Sequence, residues 1–217
     1  MENISASPFE FGVTILAAGR SQRMGRPKLL LPWNGTSVLG HLLKQWRTAG
    51  AAQIAVVCDP DATELQNELK RLEVSSTNWI FNSHPDRGMF SSVQCAARWN
   101  EWRPALTHFV VTLGDQPHLQ QKTLGELIAV AKRNPKSVCQ PLRNARRRHP
   151  VIFPKRNFFE LRNSEAANLK EFLAKPEIER AGFESTDVGL EFDMDTPADY
   201  ERLREMFQQA DRKARSN

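Results

Sequence analysis

The chain has 217 residues, a length that fits one α/β domain better than two complete domains. Hydrophobic residues make up 40% and charged residues 25%, which excludes an intrinsically disordered protein. The formal net charge of +5 favours anionic ligands. The three cysteines form no zinc-binding spacing, the N-terminus lacks the pattern of a secretory signal, and no stretch has the roughly 18 apolar residues of a membrane helix. We therefore expect a cytoplasmic protein.

Apolar segments of strand length alternate with segments of helical periodicity up to about Pro135. The first strand, 13–16, does not alternate between apolar and polar residues and is therefore expected to be buried on both faces. The alternation predicts an α/β fold with a doubly wound, mostly parallel, Rossmann-like sheet and right-handed crossovers. The predicted strands are 13–16, 54–57, 79–81 and 108–113, and the predicted helices are 38–46, 65–72, 91–102 and 124–131.

The pattern loosens after Pro135. Short strands are predicted near Val138 and at 151–153, and polar helices at 157–162 and 166–173. Pro197 begins a last helix, which is expected to end in a solvated tail at 211–217. We expect one domain, 1–217, with a first half at 12–135, a second half at 136–200 that includes a small lid region, and a C-terminal helix and tail at 201–217.

A loop rich in small and basic residues follows the first strand directly. Residues 16–28 read L-A-A-G-R-S-Q-R-M-G-R-P-K. Small residues let the backbone approach a ligand closely, and successive N–H groups can form an anion cradle. Four cations lie within nine residues, and guanidinium groups suit phosphate oxygens; they are Arg20, Arg23, Arg26 and Lys28. The loop predicts a phosphate site, with a basic surface loop as the alternative. It matches neither a Walker loop nor G-x-G-x-x-G, which excludes kinase, GTPase and dinucleotide-binding interpretations.

Two acidic segments come later in the chain. Residues 113–117, L-G-D-Q-P, follow an apolar strand, and Asp115 there can either hold Mg²⁺ against a triphosphate or simply begin a turn. Residues 192–200 read F-D-M-D-T-P-A-D-Y. Asp193 and Asp195 would lie on one face of a short strand, while Thr196-Pro197 makes a plain helix start.

These segments together resemble the MobA-like nucleotidyltransferases, and among them most closely the molybdenum cofactor cytidylyltransferases. The resemblance covers roughly residues 12–154 and 190–203, and the motifs that carry it are residues 16–32, the L-G-D-Q-P segment and the D-M-D-T-P-A-D-Y segment. It implies a nucleotidyltransferase fold whose first half binds the nucleotide and whose second half binds the acceptor. It implies Arg23, Lys28 and Asp115 as catalytic residues, Asp115 as a Mg²⁺ ligand, and Asp195 ahead of Asp193 as a second one. The implied nucleotide-binding residues in the loop are Leu16, Ala17, Ala18, Gly19, Arg20, Ser21, Arg23 and Lys28.

Two weaker matches add candidates. Residues 88–93, G-M-F-S-S-V, are similar to the family's turn into a helix, which implies that Ser91 and Ser92 contact ligand, although an ordinary helix cap explains them equally well. Residues 149–153, H-P-V-I-F, resemble a segment on the acceptor side and imply a binding role for His149. Arg148 stands where the family usually has Gly, and a later G-D-x-G-A-R segment is represented only by 168–172, so the acceptor is less constrained than the nucleotide.

The implied reaction transfers CMP from CTP to the phosphate of molybdopterin. Ala18, where guanylyltransferases usually have Gly, leans towards CTP by family analogy. A molybdenum-dependent dehydrogenase is the implied further partner. A guanylyltransferase, a sugar or alditol phosphate nucleotidyltransferase, and a non-catalytic accessory protein remain as alternatives. Nucleic-acid binding through the Arg146-Arg147-Arg148 cluster is disfavoured, since the cluster is short and lacks interleaved aromatic residues.

Overall fold

The structure is a computed structural model that describes the backbone of residues 9–215 and side chains up to residue 207. Seven α-helices are described within that range: α1 Val38–Thr48, α2 Thr63–Arg71, α3 Met89–Arg98, α4 Gln121–Arg133, α5 Lys155–Glu160, α6 Leu169–Leu173 and α7 Pro197–Arg215. The strands are β1 Phe11–Leu16, β2 Pro32–Trp33, β3 Thr36–Ser37, β4 Gln53–Cys58, β5 Trp79–Phe81, β6 His108–Leu113, β7 Val138–Arg143, β8 Arg146–Arg147, β9 Val151–Pro154 and β10 Arg180–Glu184.

One mixed sheet organises the chain. Its strand order is β10-β7-β9-β6-β1-β4-β5, and β8 pairs with β7 at one side. The first-half strands β6, β1, β4 and β5 are mutually parallel, whereas β9 runs antiparallel to β6 and to β7. β2 and β3 form a separate two-stranded hairpin. The predicted α/β fold with a doubly wound, mostly parallel sheet is confirmed.

Helices cover both faces of the sheet, which explains the continuous apolar runs of its strands. Along β6, Val110 belongs to a buried cluster with α1 and α4, while Phe109 and Val111 belong to a second cluster with α3 and α5. Along β1, Val13 and Ile15 are fully buried in the first cluster. A hydrophobic core therefore covers each face of the sheet, and the central strands hold in place the loops that follow their carboxyl ends.

The chain reverses direction across the sheet at β1. After β1 it builds β4 and β5 on one side, and it then returns to place β6 on the other side. Loops leaving β1, β4 and β6 consequently meet at one edge: the amide of Ala17 donates to Val57 O at 2.8 Å, and that of Gly114 donates to Leu16 O at 3.1 Å. Such a reversal point is where open α/β sheets bind ligands.

Several boundaries differ from the sequence-based expectations. The helix predicted at 91–102 begins at Met89, because Gly88 turns the chain at φ 83°, and ends at Arg98, because Trp99 is extended. Trp102 instead fills the core, with its indole N–H donating to Ala96 O at 2.9 Å. Residues 211–215, predicted as a solvated tail, continue α7.

The second half contributes strands to the main sheet. The strands predicted near Val138 and at 151–153 are β7 and β9, and both belong to the main sheet. The sequence missed β10, which has alternating exposure at the edge of the sheet. In the part of the chain that the structure describes, no helix combines the length and apolar character that a bilayer crossing would require.

Candidate active site

The basic loop that follows β1 is a compact turn held to the core by one buried side chain. Gln22–Met24 forms a 3-10 turn in which the amides of Met24 and Gly25 both donate to Ser21 O. Ser21 and Gly25 both have positive φ angles, 49° and 70°. The Met24 side chain is 3% exposed and ties the turn to the core. The Ser21 hydroxyl accepts from the Lys28 amide at 3.2 Å, so it holds the loop's two ends together.

Gly19 stands at the centre of the loop without any packing reason for lacking a side chain. A Cβ there would meet no atom within 4 Å. Gly114, by contrast, is required by the fold, since a Cβ would lie 2.7 Å from Leu16 O and 2.9 Å from a Leu29 methyl. The glycine of L-G-D-Q-P therefore lets β6 end tightly beside β1, whereas the space above Gly19 is open to a ligand.

Three of the loop's four cations are paired with carboxylates from other segments. Arg20 Nε lies 3.7 Å from Asp59 after β4, and Arg23 donates to Asp195 at 2.7 Å. Lys28 Nζ lies 2.7 Å from Asp115 Oδ2 and 3.3 Å from Asp195 Oδ1. These carboxylates offset the repulsion among the cations.

Exposure divides the cations into two kinds. The side chains of Arg20 and Arg23 are 61% and 72% exposed, whereas that of Lys28 is 15% exposed. The surface pairs contribute little to stability. Their side chains are therefore free to exchange a carboxylate for a phosphate, and Lys28 is the one cation of these three held deep in the site.

Asp115 lies at the carboxyl end of β6, as the sequence predicted. Its side chain is 18% exposed, Oδ2 binds Lys28, and Oδ1 is a buried oxygen with no hydrogen-bond partner. An ionised carboxylate oxygen left without a donor suits a cation. Asp115 and Asp195 thus offer the two-carboxylate donor set that Mg²⁺ prefers alongside phosphate oxygens and water.

The prediction that Asp193 and Asp195 share one face of a strand is wrong. Residues 192–195 form no regular strand. Met194 in this segment is buried, and its amide donates to Asp115 O at 3.2 Å. Asp195 contacts the basic loop, whereas Asp193 accepts from Gln116 Nε2 at 2.9 Å. Burial, and then the charge of Asp115, raise the pKa of Asp193.

No group of three or more His, Cys, Asp and Glu side chains within residues 9–207 is arranged to hold a metal ion. The candidate oxygen ligands for a metal ion are therefore the carboxylates of Asp115 and Asp195, and Lys28 Nζ donates a hydrogen bond to each of them.

The predicted serines lie at the start of α3, opposite the loop. The Ser91 hydroxyl donates to Gly88 O at 2.8 Å, and Ser92 lines a cavity beside Ala18 and Gly19. Asn82, which the sequence analysis missed, donates to both hydroxyls at 2.9 and 3.0 Å and is 2% exposed. Its signal was a polar residue directly after the apolar β5.

His149 reaches the same edge from the second half. Because Val151 pairs with Val111 in the antiparallel ladder, the residues preceding β9 lie beside the carboxyl end of β6. Burial lowers the pKa of His149, while a hydrogen bond from the ring to the Val111 backbone carbonyl and the charge of Asp115 oppose the shift. His149 therefore lies at the edge of the sheet where β6 ends, which is also the edge that carries Asp115.

Two adjoining cavities flank the loop at the sheet edge. One of about 350 Å³ lies between the end of β1, α3 and Asp115. The other, of about 370 Å³, lies over Arg20, Arg23 and Asp195. Both include Ala18, Gly19 and Lys28, so a ligand with a flat part and a multiply charged part can span them. A third space of about 690 Å³ lies behind the loop, towards Asp59 and α2.

Ala17 and Ala18 are both buried. Ala18 is 5% exposed and belongs to the buried cluster with Val57 and Ile80, and Ala17 lies in the cluster on the other face. Leu16, also predicted to bind nucleotide, is the last residue of β1 and lines the smaller cavity.

Comparison with known proteins places this site in a family. Molybdenum cofactor cytidylyltransferase of Escherichia coli (strain K12) is 26% identical over 198 residues, covering 89% of this chain and 95% of that protein. The purine catabolism protein PucB of Bacillus subtilis (strain 168) is 28% identical over 216 residues, covering 91% and 97%. The crystal structure of Rv0371C of Mycobacterium tuberculosis H37Rv in complex with manganese is 26% identical with a TM-score of 0.67, covering 90% and 98%. A family model matches residues 13–181, and the chain belongs to the MobA-like NTP transferase domain family.

Proposed function

We propose that this nucleotidyltransferase transfers CMP from CTP to the phosphate of molybdopterin, with release of pyrophosphate. The observation that carries the proposal is the arrangement of Lys28, Arg23, Asp115 and Asp195 at the carboxyl ends of β1 and β6, beside the open space over Gly19. Cations for a triphosphate and carboxylates for a divalent ion interleave there. The same arrangement would serve other nucleotides and acceptors, so the specific substrates rest on the resemblance.

The reaction needs alignment rather than a covalent intermediate. The phosphate of the acceptor has a second pKa of about 6 and is mostly dianionic at pH 7, so its oxygen can attack without a general base. A bond forms between that oxygen and the α-phosphorus of CTP, and the bond from the α-phosphorus to the bridging oxygen of the β-phosphate breaks. Pyrophosphate leaves with the electron pair of that bond.

The residues of the site match the charges of this transfer. Arg20 and Arg23, the two exposed guanidiniums, would hold the leaving pyrophosphate, and Lys28 would lie at the α-phosphate where charge develops. Mg²⁺ held by Asp115 and Asp195 would supply further charge neutralisation at the transferring phosphate. His149 and Arg148 would face the acceptor, since they directly precede β9 in the second half of the chain and β9 pairs with β6. Ser92, supported by Asn82, would contact the nucleotide in the smaller cavity.

The choice of CTP rests on Ala18. Its methyl group is buried among apolar residues, so we expect it to act by fixing the shape of the smaller cavity rather than by direct contact with the base. CTP should bind more tightly than GTP. A calorimetric titration in which GTP is preferred tenfold, equivalent to about 1.4 kcal/mol, would reverse the assignment in favour of a guanylyltransferase.

The decisive experiment measures pyrophosphate release from each of the four NTPs with Mg²⁺ and molybdopterin. The expected result is release that depends on both CTP and molybdopterin. Release with a sugar or alditol phosphate in place of molybdopterin would move the acceptor to that class. Tight molybdopterin binding without release under any combination would identify a non-catalytic accessory protein.

A further inference from the structure

The ammonium of Lys28 lies where the proposed function needs a divalent cation. Its Nζ contacts Oδ2 of Asp115 at 2.7 Å and Oδ1 of Asp195 at 3.3 Å, which are oxygens of the two carboxylates that fit Mg²⁺. A Mg²⁺ ion would have to approach such oxygens to about 2.0–2.1 Å. Lys28 and the ion therefore compete for the same carboxylates, and their like charges repel each other at this separation.

The competition is asymmetric because Lys28 has alternative partners only when a nucleotide is present. Its side chain is 15% exposed, so leaving the carboxylates without an anion to receive it would strand a poorly hydrated ammonium. A triphosphate over Gly19 would offer oxygens within reach of its flexible four-carbon stem. Arg23 holds the outer oxygen of Asp195 at 2.7 Å and would be drawn away by the same phosphates.

We propose that Lys28 is a positioning residue that closes the Asp115 and Asp195 carboxylates to divalent cations until a nucleotide draws its ammonium away. This rests on the proposed function for the identity of the nucleotide, but not for the competition itself. The consequence is an order of binding: the triphosphate enters an empty site, and the metal ion follows it or arrives with it. Free divalent cations then do not accumulate in the nucleotide-free protein.

Binding of Mn²⁺ alone tests the competition without any reaction. Free Mn²⁺ is measured by electron paramagnetic resonance during titration of the nucleotide-free protein. Lys28→Met removes the charge and keeps an apolar stem of similar length. The variant should bind Mn²⁺ at least about tenfold more tightly than the wild type, a change of about 1.4 kcal/mol. Arg26→Met is the matched control, since it removes a charge from the same loop but Arg26 pairs with no carboxylate among the described residues.

The place of binding is established by a double variant. Adding Asp115→Asn to Lys28→Met should abolish the gained affinity, because it removes the carboxylate that Lys28 leaves free. Circular dichroism confirms that each protein is folded. Lys28→Gln, which keeps a hydrogen-bond donor to the carboxylates, replaces Lys28→Met if the latter does not fold.

The proposal is overturned if the folded Lys28 variant binds Mn²⁺ within twofold of the wild type, or if Arg26→Met tightens binding equally. In the second case general electrostatics would explain the change. Failure of the proposed function has a different signature: CTP and GTP would not bind, while Mn²⁺ affinity would still rise in the Lys28 variant. In the wild type, a non-reactive CTP analogue should also raise Mn²⁺ affinity, and this coupling should shrink in the variant.

Discussion

Replacing Asp115 with Asn tests whether the carboxylate at the end of β6 is part of an active site. The substitution keeps the shape of the side chain and removes its charge. A metal ion at the transferring phosphate would lose its inner carboxylate, and loss of one electrostatic contact of this kind costs about 3 kcal/mol of transition-state stabilisation. Turnover should therefore fall at least ~10²-fold.

The structure predicts that folding survives this change. Lys28 keeps Asp195 at 3.3 Å after its partner at 2.7 Å is neutralised, so its ammonium is not left alone. Removing the Asp115 charge also relieves its repulsion of Asp193, whose pKa it raises. We expect a cost of about 1 kcal/mol, which for a chain of this size lowers Tm by roughly 2–4 °C.

The assay is pyrophosphate release with saturating nucleotide and acceptor, paired with thermal unfolding. Glu126→Gln serves as the control, since it makes the same chemical change in an exposed pair with Lys122 on α4 and should alter neither quantity. Nucleotide binding in EDTA should be unchanged or tighter for Asp115→Asn, because one negative charge facing the triphosphate is gone. A folded variant with near wild-type turnover would refute the metal assignment, and a variant that merely unfolds would assign Asp115 a structural role.

Three further predictions address the loop, a buried carboxylate and pH. Gly19→Ala should leave Tm unchanged, because the added methyl group would contact no protein atom, but it should weaken CTP binding about tenfold or more by calorimetry, because the methyl group would occupy the space proposed for the ligand. Gly114→Ala, whose methyl group would clash with Leu16 O, should instead lower Tm. Asp187→Ala should cost about 3 kcal/mol in urea unfolding, since this buried carboxylate accepts three hydrogen bonds at 2.8–2.9 Å; a loss below about 1 kcal/mol would contradict this. Burial, followed by the charge of Lys44, lowers the pKa of His41 from 6.5 to about 4. The unfolded chain therefore binds more protons than the folded protein between these two pH values. The free energy of unfolding should fall by about 1–3 kcal/mol as the pH drops through that window. His41→Gln should flatten that dependence in urea titrations at pH 4–7, and an unchanged slope would exclude His41 as its source.

The positions of the main strands and of the basic loop were readable from local sequence. Residues 13–16 and 108–113 are apolar without alternation because both faces of their strands are covered, and that burial leaves a direct trace in composition. Small and basic residues directly after such a strand predict a phosphate loop, since close backbone approach and positive charge are requirements of such a loop. Asp115 could be predicted as a metal ligand in the same way, because it is an acidic residue two positions after the end of a buried strand.

The partners of these residues depend on contacts between distant parts of the chain. Lys28 and Asp195 are separated by 167 positions, and only the path of the chain back to the β1 edge brings them to 3.3 Å. The local sequence carries no information on which carboxylates return to the loop. Local pattern likewise failed at 193–195, where the structure has no strand. Asp193 accepts from Gln116, whereas Asp195 contacts the basic loop.

The second half shows the same division between local and long-range determinants. Its short segments at 138 and 151–153 carried a strand signal, but not the information that β9 inserts antiparallel between β6 and β7. Neighbour choice in a sheet is decided by which faces and edges remain uncovered after the first strands have paired. The sequence by itself thus determined which segments form elements and which are predicted to bind phosphate. The tertiary structure decided which carboxylates neutralise the loop. The interaction energy of two charges weakens as their separation grows, and only folding sets the separations between residues so far apart in the chain.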